Sequence, residues 1–342
     1  MKLKSKIENV ENFDYISNYA IQSNNVFSLN NPLDCFKIED AQSVQSFKNM
    51  ILVLDSLNKP YFIQDGKIDR SLYDSFSIST IKFPYIMFYK KTSPRAYGIY
   101  NVELDQVLFE THEWLGRDIF GKYIFGEYQN IITSRSLLSG EILWEFDLST
   151  IGDNPHDDNY DTDADWKIKK IIGVADNKIW LALNHHTIIS IDVITGELIH
   201  RIHDVPGFSS EWLPQAIPLP EATVIDEQNN KLVGFMWEFY WEIDPQSGVV
   251  FFSDLTDNFK NKEIRNDVQR FVLTDKYIHF ASHFASKMAS LDRATKEIVW
   301  QYEFQNNDDG LEPRIMNIQG NDNMLGALSS KGTLYMFEKA II

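Results

Sequence analysis

Apolar positions along the chain fall in short runs separated by turn residues. Examples are Lys178–Leu183 followed by Thr187–Ile191, and Tyr277–Ala281 followed by Lys287–Leu291. Runs this short, rich in Ile, Val, Leu and aromatics and bounded by Asp, Ser, Thr and Gly, read as β-strands joined by tight turns. Four segments align without gaps: Ser136–Trp144, Asp192–His200, Asp244–Phe252 and Asp292–Trp300. Each opens on Asp or Ser, carries Gly or Lys at its fifth position and closes on a ring. A fifth segment, Asn101–Phe109, keeps the outer spacing but has Asp105 where the glycine would stand. An opening Asp or Ser can cap the turn amides, and glycine can take the positive φ that a hairpin turn needs. The closing ring then packs on a neighbour, and each unit becomes a four-stranded antiparallel meander.

The rings Phe109, Trp144, His200, Phe252 and Trp300 are 35, 56, 52 and 48 residues apart, mostly near the ~40–50 residues of one propeller blade. The expected fold is therefore an all-β β-propeller of four-stranded antiparallel blades. Turns near Gly66, Asp105, Gly140, Gly196, Gly248, Lys296 and Glu338 suggest about seven blades. The last unit, Met324–Glu338, ends near its third strand. A closed ring must then borrow a strand from the N-terminal region, about residues 1–45, with Asn25–Ile38 the candidate. On this reading residues 1–342 form a single propeller domain.

The spacing Asp-x-x-Thr-Gly-x-x-x-Trp resembles the tryptophan-docking repeat of the PQQ-like (quinoprotein-type) β-propellers, a group that includes the BamB-like scaffold branch. Trp144 and Trp300 occupy the docking position, while His200 and Phe252 replace the tryptophan there. The resemblance runs from about residue 100 to 338, is degenerate in each repeat, and barely extends to the first blades. It implies the fold. Function within the group ranges from quinone-dependent dehydrogenases to scaffolds without catalysis. The dehydrogenase branch resembles secreted enzymes with paired cysteines beside the cofactor, whereas Cys35 is the only cysteine here, so no quinone is expected.

Composition adds a sign to this picture. Lys and Arg total 32 against 49 Asp and Glu, a formal charge of −17. A field of that sign repels nucleic-acid phosphates and anionic lipid headgroups, so neither nucleic acid nor membrane is an expected partner. One cysteine cannot form an internal disulfide, and the opening residues lack the apolar core of a signal peptide. The expected location is cytoplasmic, and the expected state a monomer.

The acidity is concentrated in the loops expected between blades. Residues 149–166 hold Asp153, Asp157, Asp158, Asp161, Asp163 and Asp165 with no Lys or Arg, and end on Trp166. Residues 204–221 add Phe208, Glu211 and Trp212, and residues 305–313 add Asp308, Asp309 and Glu312. These loops are expected at the blade ends opposite the glycine turns, forming an acidic, aromatic face for a basic protein. A plain solvated loop is the alternative. Asp161, Asp163 and Asp165 have the alternating spacing of a calcium loop, but Trp166 stands where glycine should and no closing glutamate follows, so calcium is not expected.

His279 and His283 have zinc spacing only on a helix, and their segment reads as strand entering a turn. Hydrolase elbows, phosphate loops and zinc-protease motifs are all missing from the sequence. The expected function is thus non-enzymatic: binding a basic protein, in the manner of an immunity or antitoxin-type inhibitor. Two rivals are a lyase or glycosidase using His185 or His186 at a channel mouth, and a passive peptide scaffold.

Overall fold

The computed structural model describes residues 1–16, 18–31, 33–153, 165–206, 208, 215–260, 262–267, 271–282, 286–304 and 314–339. Among these residues the chain forms eight four-stranded antiparallel sheets, the blades of a β-propeller. They divide between two compact units, Met1–Glu113 with Arg270–Ile342, and Trp114–Gln269.

The first unit holds five blades. Blade 1 is Asn12–Asp14, Tyr19–Gln22, Asn25–Ser28 and Cys35–Lys37; blade 2 is Ala41–Phe47, Met50–Asp55, Pro60–Gln64 and Lys67–Asp69. Blade 3 is Ser77–Lys82, Tyr85–Lys90, Ala96–Asn101 and Gln106–Thr111. Blade 7 is Phe271–Leu273, Tyr277–Ser282, Lys287–Asp292 and Ile298–Glu303. Blade 8 takes three strands from Ile315–Gly320, Met324–Ser329 and Leu334–Glu338, and its fourth is Lys2–Ile7, paired so that Lys2 faces Glu338 and Ile7 faces Leu334.

Two sequence expectations are corrected here. The blade count is eight, because residues 12–37 make a blade of their own. The strand that completes the last sheet is Lys2–Ile7, whereas Asn25–Ile38 supplies the outer half of blade 1. Blade 1 leaves little mark in the sequence, because its strands are only three or four residues long and the stretch from Leu29 to Asp34 has no glycine. Blade 1 is held by a core shared with blade 8, in which Val10, Phe13, Ala20 and Phe27 pack with Leu328, Leu334 and Met336. The Gln319 side chain adds two bonds to the same seam, donating to the Phe13 carbonyl at 2.9 Å and accepting from the Tyr15 amide at 3.0 Å.

The second unit holds three blades. Blade 4 is Asp118–Phe120, Tyr123–Tyr128, Ile131–Ser136 and Ile142–Asp147; blade 5 is Ile168–Ala175, Lys178–Leu183, Ile188–Asp192 and Leu198–Ile202. Blade 6 is Thr223–Asp226, Lys231–Met236, Phe239–Ile243 and Val250–Asp254. Burial explains the hydrophobic pattern. Ile179 through Leu183 and Ile188 through Ile191 are buried without interruption, since both faces of these strands are covered by neighbouring blades within the unit. A fourth strand such as Ile298–Glu303 in blade 7 instead alternates half-buried and exposed positions, as one-sided strands do.

The repeated turn is the joint between blades. In blades 5 and 6 the carboxylates of Asp192 and Asp244 accept from the amides two and three residues further on, at 2.7 to 3.1 Å. The Gly196 and Gly248 amides close the turn onto the carbonyls of Asp192 and Asp244. The ring of the preceding blade lies on that glycine. Trp144 of blade 4 is buried and donates from Nε1 to the Val193 carbonyl at 2.9 Å. A Cβ added to Gly196, at φ +77°, would come within 2.8 Å of its indole. His200 of blade 5 sits on Gly248 in the same way, with Nδ1 2.7 Å from where a Cβ would be. Phe252 packs within its own unit on Phe208 and Phe239, at 4.5 and 5.7 Å between ring centroids.

Candidate functional site

Antiparallel pairing puts a blade's first and third turns, first-to-second and third-to-fourth strand, at one end of the sheet. The second-to-third turn and the link to the next blade lie at the other. In the second unit that other end carries residues 148–153 and 165–167, which bound the acidic segment, residues 203–206 and 215–219 of the next link, and the His185–His186 turn.

The acidic loop is anchored at both ends. It leaves blade 4 through the short 3₁₀ turn Leu148–Ile151, which Asp147 starts by accepting from the Ser149 amide at 2.9 Å. That bond holds the Asp147 carboxyl below the usual carboxylate range. The Arg201 guanidinium donates to the Ile151 carbonyl at 2.9 Å and to the Asp153 carbonyl, and it lies over the Trp166 ring at 5.4 Å. From the far end, Trp166 Nε1 donates to the Gly152 carbonyl at 2.7 Å, tying the exit of the loop to its entrance. Asn184 secures the exit further, donating to the Asp165 carbonyl and accepting from the Lys167 amide, each at 2.9 Å. Backbone carbonyls thus meet a guanidinium, an indole and an amide, while the side chains of Asp153 and Asp165 stay exposed.

The aromatic half of the expected face is different. Trp166 is 6% exposed and meets the His185 ring edge-on at 5.6 Å, and Phe208 is 3% exposed within the core between blades 5 and 6. Both rings anchor loops from below and neither is offered at the surface. Sequence pattern could not separate an exposed loop aromatic from a buried anchor, since both sit among polar residues. Asp157, Asp158, Asp161, Asp163, Glu211, Trp212, Asp308, Asp309 and Glu312 lie outside the described residues.

The histidines of the rival reading are engaged in the scaffold. His185 is buried beneath Trp166, and His186 Nδ1 lies 3.0 Å from the carbonyls of both Ile217 and Pro218. These contacts tie the 204–221 segment to the same blade end. His279 lies on a strand, buried, and His283 lies outside the described residues. Among the described residues there is no group of three or more His, Cys, Asp or Glu side chains that could hold a metal ion. Arg201 and Asn184 were not singled out by sequence. The available signal was position, since Arg201 follows the docking His200 and Asn184 opens the turn before His185.

This arrangement of blades and ring-on-turn joints defines the chain as a β-propeller, and solved structures with the same fold are similar to it along most of its length. BamB from Moraxella catarrhalis aligns over 99% of both chains with a TM-score of 0.56 at 10% identity. The computationally designed protein Ika8 aligns over 97% of this chain and 96% of its own, with a TM-score of 0.55 at 12% identity. Sqt1 from Saccharomyces cerevisiae aligns over 95% and 91%, with a TM-score of 0.55 at 11% identity. Identities this low establish the shared fold alone. No protein-family model and no curated protein matches the sequence.

Proposed function

We propose that this protein is a non-enzymatic binding propeller that holds a basic protein through its acidic interblade loops. The observation that carries the reading is the segment of residues 149–166, six aspartates with no Lys or Arg among them, whose two ends are pinned by Arg201, Trp166 and Asn184. Fixing the ends of a loop lowers the entropy lost on binding, and a net charge of −17 steers a cationic partner toward it. The similarity of the fold to BamB, from the scaffold branch that the repeat resembles, is consistent with binding in place of catalysis.

A sharper form of the proposal is an immunity or antitoxin-type inhibitor acting in the cytoplasm. An acidic surface can occupy a toxin's cationic substrate site by mimicking an anionic substrate. The test is capture of partners from lysate of the source organism, eluted by a salt gradient, beside a variant with Asp157, Asp158, Asp161 and Asp163 changed to Asn. The reading expects one basic protein, released by moderate salt and missing from the variant's eluate. Equal recovery on both baits, or an acidic partner, contradicts it.

A further inference from the structure

The outer strand of a propeller blade is a sheet edge, and most blades of this chain blunt it. Blades 1 and 2 end on strands of three residues, Cys35–Lys37 and Lys67–Asp69. Blades 3, 4, 5, 7 and 8 each carry a one-residue slip where the outer strand pairs, and the outer strand of blade 8 adds Lys2, Lys4 and Lys6. Short strands, bulges and lysines all discourage a further strand from pairing. Blade 6 has none of them. Its outer strand Val250–Asp254 pairs without a slip, from Ile243 opposite Val250 to Phe239 opposite Asp254, and holds no lysine or arginine.

The missing slip also changes which side chain faces outward, because residues opposite one another share a face of the sheet. Trp144, His200 and Trp300 stand opposite Ser134, Ser190 and Ser290, each two residues before its turn opens. The matching position in blade 6 is Glu242, and it stands opposite Phe251. Phe252 moves opposite Trp241 and packs on the core between blades 5 and 6. Phe251 is left 61% exposed on the face that carries the docking ring in blades 4, 5 and 7, and Val249 before it is 50% exposed. The ladder also fixes which backbone groups point out. The Asp244 amide donates to the Val249 carbonyl and the Leu255 amide to the Glu238 carbonyl. Hydrogen-bonded pairs alternate along an antiparallel ladder, so Phe251 and Ser253 bond inward, while the N–H and C=O groups of Val250, Phe252 and Asp254 point away from the sheet.

From this we infer that the outer edge of blade 6 receives a β-strand of the basic partner protein, a segment in which apolar residues alternate with lysine or arginine. Its backbone pairs with Val250, Phe252 and Asp254, and one of its apolar side chains covers Phe251. Charge selects this occupant. Residues 232–259 hold Glu238, Glu242, Asp244, Asp254 and Asp257 and no Lys or Arg. Lys231 pairs with Glu242, but the exposed Asp254 carboxylate, which accepts from the Thr256 amide at 2.9 Å, has no cation beside it among the described residues. A second copy of this chain would bring the same carboxylates and a further −17 to the edge, so a cationic strand is favoured over self-pairing. The inference rests on the reading of a basic protein partner and names the form in which part of it binds.

The test is residue-resolved hydrogen exchange in the full chain with two synthetic peptides, acetyl-Lys-Val-Lys-Val-Lys-Val-amide and its Glu-Val counterpart. In the free protein the Phe251 and Ser253 amides should be protected, and those of Val250, Phe252 and Asp254 should exchange fast. The lysine peptide at saturation should slow those three by about tenfold or more, and the glutamate peptide should leave them unchanged. Phe251→Ser should raise the half-saturating concentration of the lysine peptide by about tenfold, the loss of one covered ring, and the exposure of that ring lets the fold tolerate the change. Protection of Val250, Phe252 and Asp254 without peptide, equal effects of the two peptides, unchanged affinity of Phe251→Ser, or no slowing with the lysine peptide overturns the inference. The peptide is supplied, so such a failure would leave the acidic-loop reading standing. Failure of the lysate capture would remove that reading and leave this exchange pattern as it is, since the variant with Asp157, Asp158, Asp161 and Asp163 changed to Asn should show the same protection.

Discussion

At the scale of single residues, the repeat is a contest between backbone conformation and side-chain packing. Glycine at the fifth turn position serves two ends in blades 5 and 6, a positive φ and an open face for the docked ring. Gly196→Ala should therefore destabilise the protein by about 1–2 kcal/mol from backbone strain alone, and by more if the Trp144 indole must move. Blade 7 has Lys296 at this position, at φ +61°. Lys296→Gly should raise stability by about 0.5–1 kcal/mol, the left-handed strain relieved less the extra freedom glycine gives the unfolded chain. Chemical denaturation of the two variants checks both signs; stabilisation by Gly196→Ala would refute the account of the joint. A second residue-scale consequence concerns protons. Burial pushes the His279 imidazole down to about 4, with the Asp322 charge opposing the shift. An unfolded histidine takes up its proton near pH 6.5, so the stability held by neutral His279 is complete above that pH and is lost as pH falls toward about 4. The turn carboxylates Asp192, Asp244 and Asp292 are held low chiefly by the backbone amides they cap, and their contribution is lost only at still lower pH. Unfolding of His279→Gln should be flatter than wild type between pH 6.5 and 4. Parallel curves would show that this histidine does not bear on acid stability.

At the scale of the strand and the blade, the sequence speaks clearly where one element carries both its signals. The Asp192–His200 and Asp244–Phe252 segments announce a turn and a ring within nine residues, and the strands on either side follow. Blade 8 has no such announcement, because its closing strand Lys2–Ile7 is mostly exposed, carries three lysines and lies more than 320 residues from its partner. Pairing over that separation is decided by shared packing, and local pattern does not record it. The same reasoning applies to the anchors of the acidic loop, where Arg201 reaches back some fifty residues to Ile151. The ring-on-turn joint itself can be tested at this scale. Trp144→Ala removes a large buried ring and leaves the Val193 carbonyl unpaired, and should cost about 3–5 kcal/mol. Trp144→Phe should recover most of that loss but not the hydrogen bond, worth about 1 kcal/mol. If alanine costs less than about 1 kcal/mol, blades 4 and 5 are held together by something other than this ring.

At the scale of the whole molecule, the dominant quantity is a net charge of −17 with its densest stretch on a loop anchored at both ends. The position of that charge along the chain is legible in the sequence, whereas the burial of Trp166 and Phe208, which support the loops from beneath, is not. Recognition should therefore be electrostatic at long range, with packing specificity coming from elsewhere. Long-range steering raises association rates by about 10 to 10³-fold and weakens with salt, while dissociation depends on short-range contacts. The most direct measurement is the association rate of the captured basic partner as a function of ionic strength, for wild type and for the variant with Asp157, Asp158, Asp161 and Asp163 changed to Asn. The account predicts an association rate at least about tenfold slower for the variant at low salt, with a flatter dependence on salt and a nearly unchanged dissociation rate. Identical rates and identical salt slopes for the two proteins would contradict it.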